Sequence, residues 1–254
     1  MKLIIGGDSA IGAALASDWE SKKSPFQATT RIESRISHHR PFLDLSTSFH
    51  PCSDTNYSVV ILLAGKTSTQ WCEDHPKESA MINVDKTIEI ARFFAKQGSH
   101  ILFLSSTQVF DGSHANYKPS DPVNPITEYG RQKVCTENAI LQLPTSTILR
   151  IPKISHPANR LLNEWKSALM QGRPIFPLSN VYLSLVTIEA VIESINKILN
   201  KRFTGIHHLS GAPEVSYVDY AKSLCRSLRV NTTFVVPQSI GAETIIHRHS
   251  SLAE

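Results

Sequence analysis

The chain begins Met1-Lys2-Leu3-Ile4-Ile5-Gly6-Gly7-Asp8-Ser9-Ala10-Ile11-Gly12. An apolar run of strand length meets a glycine pair and then the start of a small-residue helix, and this constrains the fold more than any other feature. A strand that turns on glycine into a helix opens a parallel βαβ sheet, and the turn is where such sheets cradle a pyrophosphate. Three glycines normally space that turn: one for the bend, one for close approach of the pyrophosphate, one for packing the helix on the strand. Gly6 and Gly12 hold the outer places, and Ser9 stands in the middle one. Serine is small and its hydroxyl can donate to a phosphate oxygen, so Asp8, Ser9, Ala10 and Ile11 complete a candidate anion cradle at a helix N-terminus. The same turn also serves strand-turn-helix units that bind nothing.

The rest of the chain repeats the alternation. Strands are expected at 2–6, 26–31, 42–46, 58–65, 100–107 and 146–151, with helices at 10–22, from Asp74 and Pro76 to Gly98, and at 129–142. Continuous apolar runs such as Ser58-Val59-Val60-Ile61-Leu62-Leu63-Ala64-Gly65 suit central strands covered on both faces. The order implies a Rossmann-type, doubly wound α/β sheet over residues 1–153. Beyond residue 153 the alternation weakens. Helices at 159–171, 187–200 and 217–228 and strands at 205–211 and 232–237 imply a smaller α/β lobe over 154–254, with room for its elements to interleave with the first domain.

Lysines and arginines are scattered and the net charge is only +4, which leaves no footprint for nucleic acid or a membrane surface. Cys52, Cys72, Cys135 and Cys225 form no paired spacing, and the eleven histidines make no metal-ligand pattern. A reducing, cytoplasmic setting without a bound metal is the expectation. The short apolar start does not resemble a signal peptide, and no run reaches membrane-spanning length.

Four places carry candidate chemistry. Arg31, at the end of the second strand and supported by Arg35, suits the 2′-phosphate of NADP, where an acidic residue would suit NAD. As a lone residue it also reads as a solvated surface arginine. Asp44 could accept from an adenine amino group or cap its own loop. Ser105 and Ser106 end a buried strand, at the edge where open α/β sheets gather ligands. Tyr129 and Lys133, at i and i+4 of a predicted helix, share a face. An adjacent ammonium would lower the phenol pKa from about 10 and fit Tyr129 for general acid–base work.

Together these residues resemble an extended short-chain dehydrogenase/reductase, and within that group the dTDP-4-dehydrorhamnose reductase branch. The resemblance is densest in Leu104-Ser105-Ser106-Thr107-Gln108-Val109-Phe110-Asp111-Gly112 and in Tyr129-Gly130-Arg131-Gln132-Lys133. It implies that Ser106 is the catalytic hydroxyl, that Tyr129 donates the proton, and that Lys133 binds the nicotinamide ribose. It also implies that Leu45, Leu63, Ala64, Gly65 and Asn83 border the cofactor, NADP with NAD as the alternative. The substrate would be a nucleotide-linked sugar, contacted by Ser106, Thr107, Lys153, Arg160 and Arg248, and a homodimer is one allowed assembly. Pro119, in place of the branch's glutamate, and Lys153, in place of its tryptophan, depart from the pattern and leave the sugar open. An NAD-dependent epimerase or dehydratase, or an idle nucleotide-binding regulatory subunit, stand as alternatives.

Overall fold

The computed structural model describes residues 1–47, 55–155, 160–241 and 243–253, except the side chain of Arg160. The chain runs β1 (Lys2–Ile5), α1 (Ala10–Ser21), β2 (Phe26–Ala28), β3 (Val59–Leu62), α2 (Thr69–Asp74), α3 (Pro76–Ala80), α4 (Thr87–Lys96), β4 (His100–Ser106), α5 (Glu128–Ile140) and β5 (Ser146–Ile151). It continues through β6 (Lys153–Ile154), α6 (Arg160–Met170), β7 (Tyr182–Leu183), β8 (Leu185–Val186), α7 (Ile188–Lys201), β9 (Gly205–His208), β10 (Val215–Ser216) and α8 (Tyr217–Leu228).

Six parallel strands form the central sheet in the order β2-β1-β3-β4-β5-β9. β1 pairs with β2 on one side and β3 on the other, so the chain reverses its winding there. That switch point leaves a crevice beyond the strand ends. The two faces explain the apolar runs. Leu3, Ile5, Val60, Ile101, Phe103 and Ile148 pack under Ile90 and Phe94 of α4 and Ile140 of α5. Ile4, Ile61, Leu102 and Leu149 pack under Leu15 and Trp19 of α1 and Val191 and Ile195 of α7. Each such side chain contributes about 1.5–3 kcal/mol on burial.

The C-terminal third adds to the main sheet and also forms a further core. β9 is the sixth strand of the main sheet and α7 covers one of its faces. Meanwhile α6 and α8 close a separate core of Trp165, Leu169, Ile175, Ala221, Cys225 and Val235.

Two expectations are corrected. Residues 42–46 form no strand; Phe42 makes a single bridge to Thr30, while Leu43 and Leu45 line the cleft described below. Residues 232–237 form a 3-10 turn, Thr232–Phe234, and a lone bridge from Val235 to Ile175. The long helix expected from Asp74 and Pro76 to Gly98 is helical from Pro76 to Lys96, with a π-helical turn inside it. His75 leaves helical geometry (φ −131°) ahead of Pro76, whose ring disfavours helix in the preceding residue. A π-helical turn, Met81–Lys86, then precedes α4.

Candidate active site

The opening turn is built from its own hydrogen bonds. Gly6 bends at φ +96°, and a Cβ on Gly12 would stand 2.3 Å from the Gly6 carbonyl oxygen, so the close packing of α1 on β1 demands glycine. Ser9 is the N-cap of α1: its Oγ accepts the Gly12 N–H at 3.0 Å and donates to the Gly6 carbonyl at 2.8 Å. The Ser9 hydroxyl hydrogen is thus engaged within the loop. The side chain folds back on the turn, and the remaining first-turn N–H groups of α1 lack helical acceptors. The fit to an anionic group thus survives the missing glycine.

Beyond the turn lies a cleft of about 530 Å³ bordered by Gly6, Asp8, Ser9, Arg31, Asp44, Leu45, Leu63, Ala64 and Gly65, nine of the expected cofactor residues. Ala10, Ile11 and Gly12 follow directly in α1. Asp44 accepts from the Ser46 N–H and hydroxyl, both at 2.8 Å, so it caps its turn while lining the cleft. These bonds hold its carboxyl below the usual range, against the push of burial. Asp8 points across the cleft to the end of β2, where it accepts from the Thr30 hydroxyl, the Arg31 N–H, Arg35 and Arg40.

Asn83 does not border the cleft. It is buried in the π-helical turn, accepts the Lys66 N–H at 2.8 Å, and donates to the Lys66 carbonyl at 3.0 Å and to Gln132 at 2.8 Å. It shapes the cleft wall through the backbone of Lys66. Ser105 is also turned away: it is 3% exposed and its Oγ has no hydrogen-bond partner.

Ser106 closes β4 and caps the 3-10 turn Thr107–Val109, accepting the Gln108 N–H at 3.3 Å. Among the described residues nothing accepts its hydroxyl hydrogen. α5 sits directly on this turn. A Cβ on Gly130 would lie 2.1 Å from the Gln108 carbonyl oxygen, which explains the glycine between Tyr129 and Lys133. Thr127 caps α5 by accepting the Gly130 N–H at 3.1 Å.

Lys133 donates to the Leu104 carbonyl at 2.9 Å, with its ammonium 4.2 Å from the Phe103 ring centre and 5.6 Å from that of Tyr129. Burial lowers the Lys133 pKa to about 8, against an upward pull from Glu137. Tyr129 is pushed upward by burial, with Cys72 adding to the effect. The expected lowering of the phenol pKa is thus corrected: desolvation outweighs the lysine, which is engaged with a carbonyl.

The expected substrate residues are less gathered. Thr107 is buried, and its carbonyl accepts from His247 Nε2 at 3.1 Å. Arg248 bends onto its own loop, donating to the Gly241 carbonyl at 2.7 Å. Lys153 is exposed on β6, and the Arg160 side chain lies outside the described residues. Among the described residues no helix is long and apolar enough to cross a membrane, and no cluster of three or more metal-type ligands occurs.

The family model described as the RmlD substrate binding domain matches residues 1–247. The chain belongs to this family. Two relatives of the RmlD-domain chain differ in kind. It is 31% identical over 120 residues to methionine adenosyltransferase 2 subunit beta of Bos taurus, covering 47% of this chain and 36% of that one. It is 30% identical over 202 residues to dTDP-4-dehydrorhamnose reductase of Sinorhizobium fredii, covering 72% of this chain and 66% of that one. The chain spans just over a third of the first and just under two thirds of the second. A dTDP-4-dehydrorhamnose reductase from Bacillus anthracis, solved in complex with NADP, shares the fold, with a TM-score of 0.83 at 17% identity over 99% of this chain and 88% of that one. The Rossmann-type fold and the extended short-chain dehydrogenase/reductase membership expected from sequence are both shown.

Several contacts in the RmlD-domain chain have no signal in the sequence. Arg40 joins Asp8 from outside any recognisable motif. Gln132 links Asn83 to Ser79 and Glu128. His247 reaches Thr107 across 140 residues of chain, a contact with no local signal. Cys72, fully buried, faces Asn83.

Proposed function

We propose that this chain is an NADP-preferring reductase of a keto group on a nucleotide-linked sugar. The observation that supports it best is that three parts lie at the same end of the parallel strands. The cleft lies over the glycine turn, Ser106 ends β4, and α5 brings Tyr129 and Lys133 against that strand. The sheet region would hold the dinucleotide, and residues 154–254 would supply the remaining substrate contacts.

Bound NADPH would supply hydride to the carbonyl carbon of the substrate. Ser106, with a free hydroxyl hydrogen, donates to the carbonyl oxygen and fixes its position. Tyr129 stays protonated in its dry setting and delivers its proton to the same oxygen as negative charge develops there. Lys133, protonated below about pH 8, holds the ribose and steadies the phenolate left behind. Arg31, with Arg35, meets the 2′-phosphate, and the α1 N-terminus meets the pyrophosphate.

Fluorescence titration with NADPH and NADH tests this reading: binding of both, tighter for NADPH, is expected, and binding of neither overturns it. A regulatory subunit that binds a nucleotide without turning it over is the second reading, favoured by the 31% identity to the bovine subunit. Turnover separates the two, because a purely regulatory chain oxidises no NADPH with any keto sugar.

A further inference from the structure

Asp8 holds an unusual position in the cleft. It belongs to the glycine turn, yet its carboxylate leaves the mouth of α1 and reaches the end of β2. There Oδ2 accepts the Thr30 hydroxyl at 2.7 Å and the Arg31 N–H at 3.0 Å. Oδ1 accepts the Arg40 guanidinium at 2.7 Å and that of Arg35 at 3.3 Å. Asp8, Thr30 and Arg31 all border the cleft. The side chain is partly open, with Asp8 23%, Arg40 33% and Arg35 55% exposed, so an incoming group has access to the cluster.

The end of the second strand is where a Rossmann site separates its cofactors. An acidic side chain there accepts from the ribose 2′-hydroxyl of NAD, and an arginine receives the 2′-phosphate of NADP. This chain places both chemistries at one point, with the acid delivered from the glycine turn. The carboxylate already pairs with Arg35, one of the two arginines assigned to a 2′-phosphate, and with Arg40 beside it.

We propose that Asp8 is the specificity-determining residue between dinucleotides with and without a 2′-phosphate, acting as an internal counter-ion of Arg35 and Arg40. A 2′-phosphate on Arg31 and Arg35 must draw Arg35 from Asp8 and sit beside its negative charge, which weakens NADPH. A 2′-hydroxyl instead donates to the carboxylate and leaves the ion pairs in place, which supports NADH. The net selectivity is then set by the balance of one carboxylate against the arginines, and it is narrower than the arginines alone would give. This rests on the dinucleotide-binding reading above and deepens it.

The test is fluorescence titration of the full chain with NADPH and with NADH, in the parent protein and in two variants. Asp8→Asn keeps an oxygen acceptor for Thr30 and removes the charge. It should tighten NADPH and weaken NADH, moving the ratio of dissociation constants about tenfold or more toward NADPH. Arg40→Gln leaves Asp8 in place and removes its nearest cation. It should weaken NADPH about tenfold while NADH changes by less than about twofold. The Arg40 variant keeps the question answerable if Asp8→Asn does not fold. An unchanged ratio in Asp8→Asn, or equal losses of both cofactors in either variant, overturns the role of Asp8 alone. A parent protein that binds neither dinucleotide overturns the cofactor reading together with this one.

Discussion

Glu137 on α5 and Arg150 on β5 form an ion pair at 2.7 Å with each side chain only 2% exposed. Arg150 Nε adds bonds to both carboxylate oxygens at 3.1 and 3.2 Å, and the guanidinium also lies over the Phe110 ring. The pair ties the helix that carries Tyr129 and Lys133 to the strand beside the one that carries Ser106. Removing one partner strands the other charge in a dry interior. Glu137→Gln should lower stability by about 3–5 kcal/mol in urea unfolding. A loss below about 1 kcal/mol would show that the charge is solvated after all.

His208 lies at the far end of the same network. Its Nδ1 donates to the carbonyls of Ala253 and Tyr117, while Nε2 faces Arg150 at 3.4 Å. Burial, helped by the Arg150 charge, lowers its pKa to about 4 from 6.5. The folded state therefore binds fewer protons than the unfolded one between these values, and stability is lost as pH falls from about 6.5 through about 4. The loss from this group should reach about 3 kcal/mol. His208→Gln keeps a donor for the two carbonyls and should flatten this part of the stability–pH curve. Parallel curves for the two proteins would contradict the assignment.

Ser9 acts as a helix cap, and its replacement should read as a cap loss. Ser9→Ala is expected to cost about 1 kcal/mol and Ser9→Gly only a few tenths, by thermal or urea unfolding. NADPH affinity should change by less than about threefold in both, because the hydroxyl hydrogen is bonded within the turn. A large loss of affinity in Ser9→Ala would restore a direct phosphate contact.

Burial lowers the Lys133 pKa to about 8, and the proposed mechanism uses its charged form to steady the phenolate. Turnover should therefore fall as pH rises through about 8, while Tyr129 remains protonated over the same range. A kcat profile that stays flat to about pH 9 would contradict the need for the ammonium.

The elements legible in the sequence are those fixed by local chemistry. The turn from Gly6 to Gly12 follows from the glycine spacing, and the buried strands from their apolar runs. The shared face of Tyr129 and Lys133 follows from helical geometry. What escaped was set by partners distant in the chain. Residues 42–46 have strand-like apolarity, yet Leu43 and Leu45 are spent on the cleft wall. The direction of Asp8 depends on arginines 27 and 32 positions away, and that of His247 on Thr107. The dry setting of Tyr129 is a property of packing, so the balance between burial and a neighbouring ammonium could not be read from spacing.

Reduction of a nucleotide-linked keto sugar by NADPH, with Tyr129 as proton donor, is the proposal on which the other predictions turn. It is tested most directly by NADPH oxidation against a panel of 4-keto nucleotide sugars, run side by side with Tyr129→Phe. Oxidation with at least one sugar is expected, abolished in the variant while its NADPH affinity stays nearly unchanged. Tight NADPH binding without oxidation by any sugar, or full turnover in Tyr129→Phe, would contradict it.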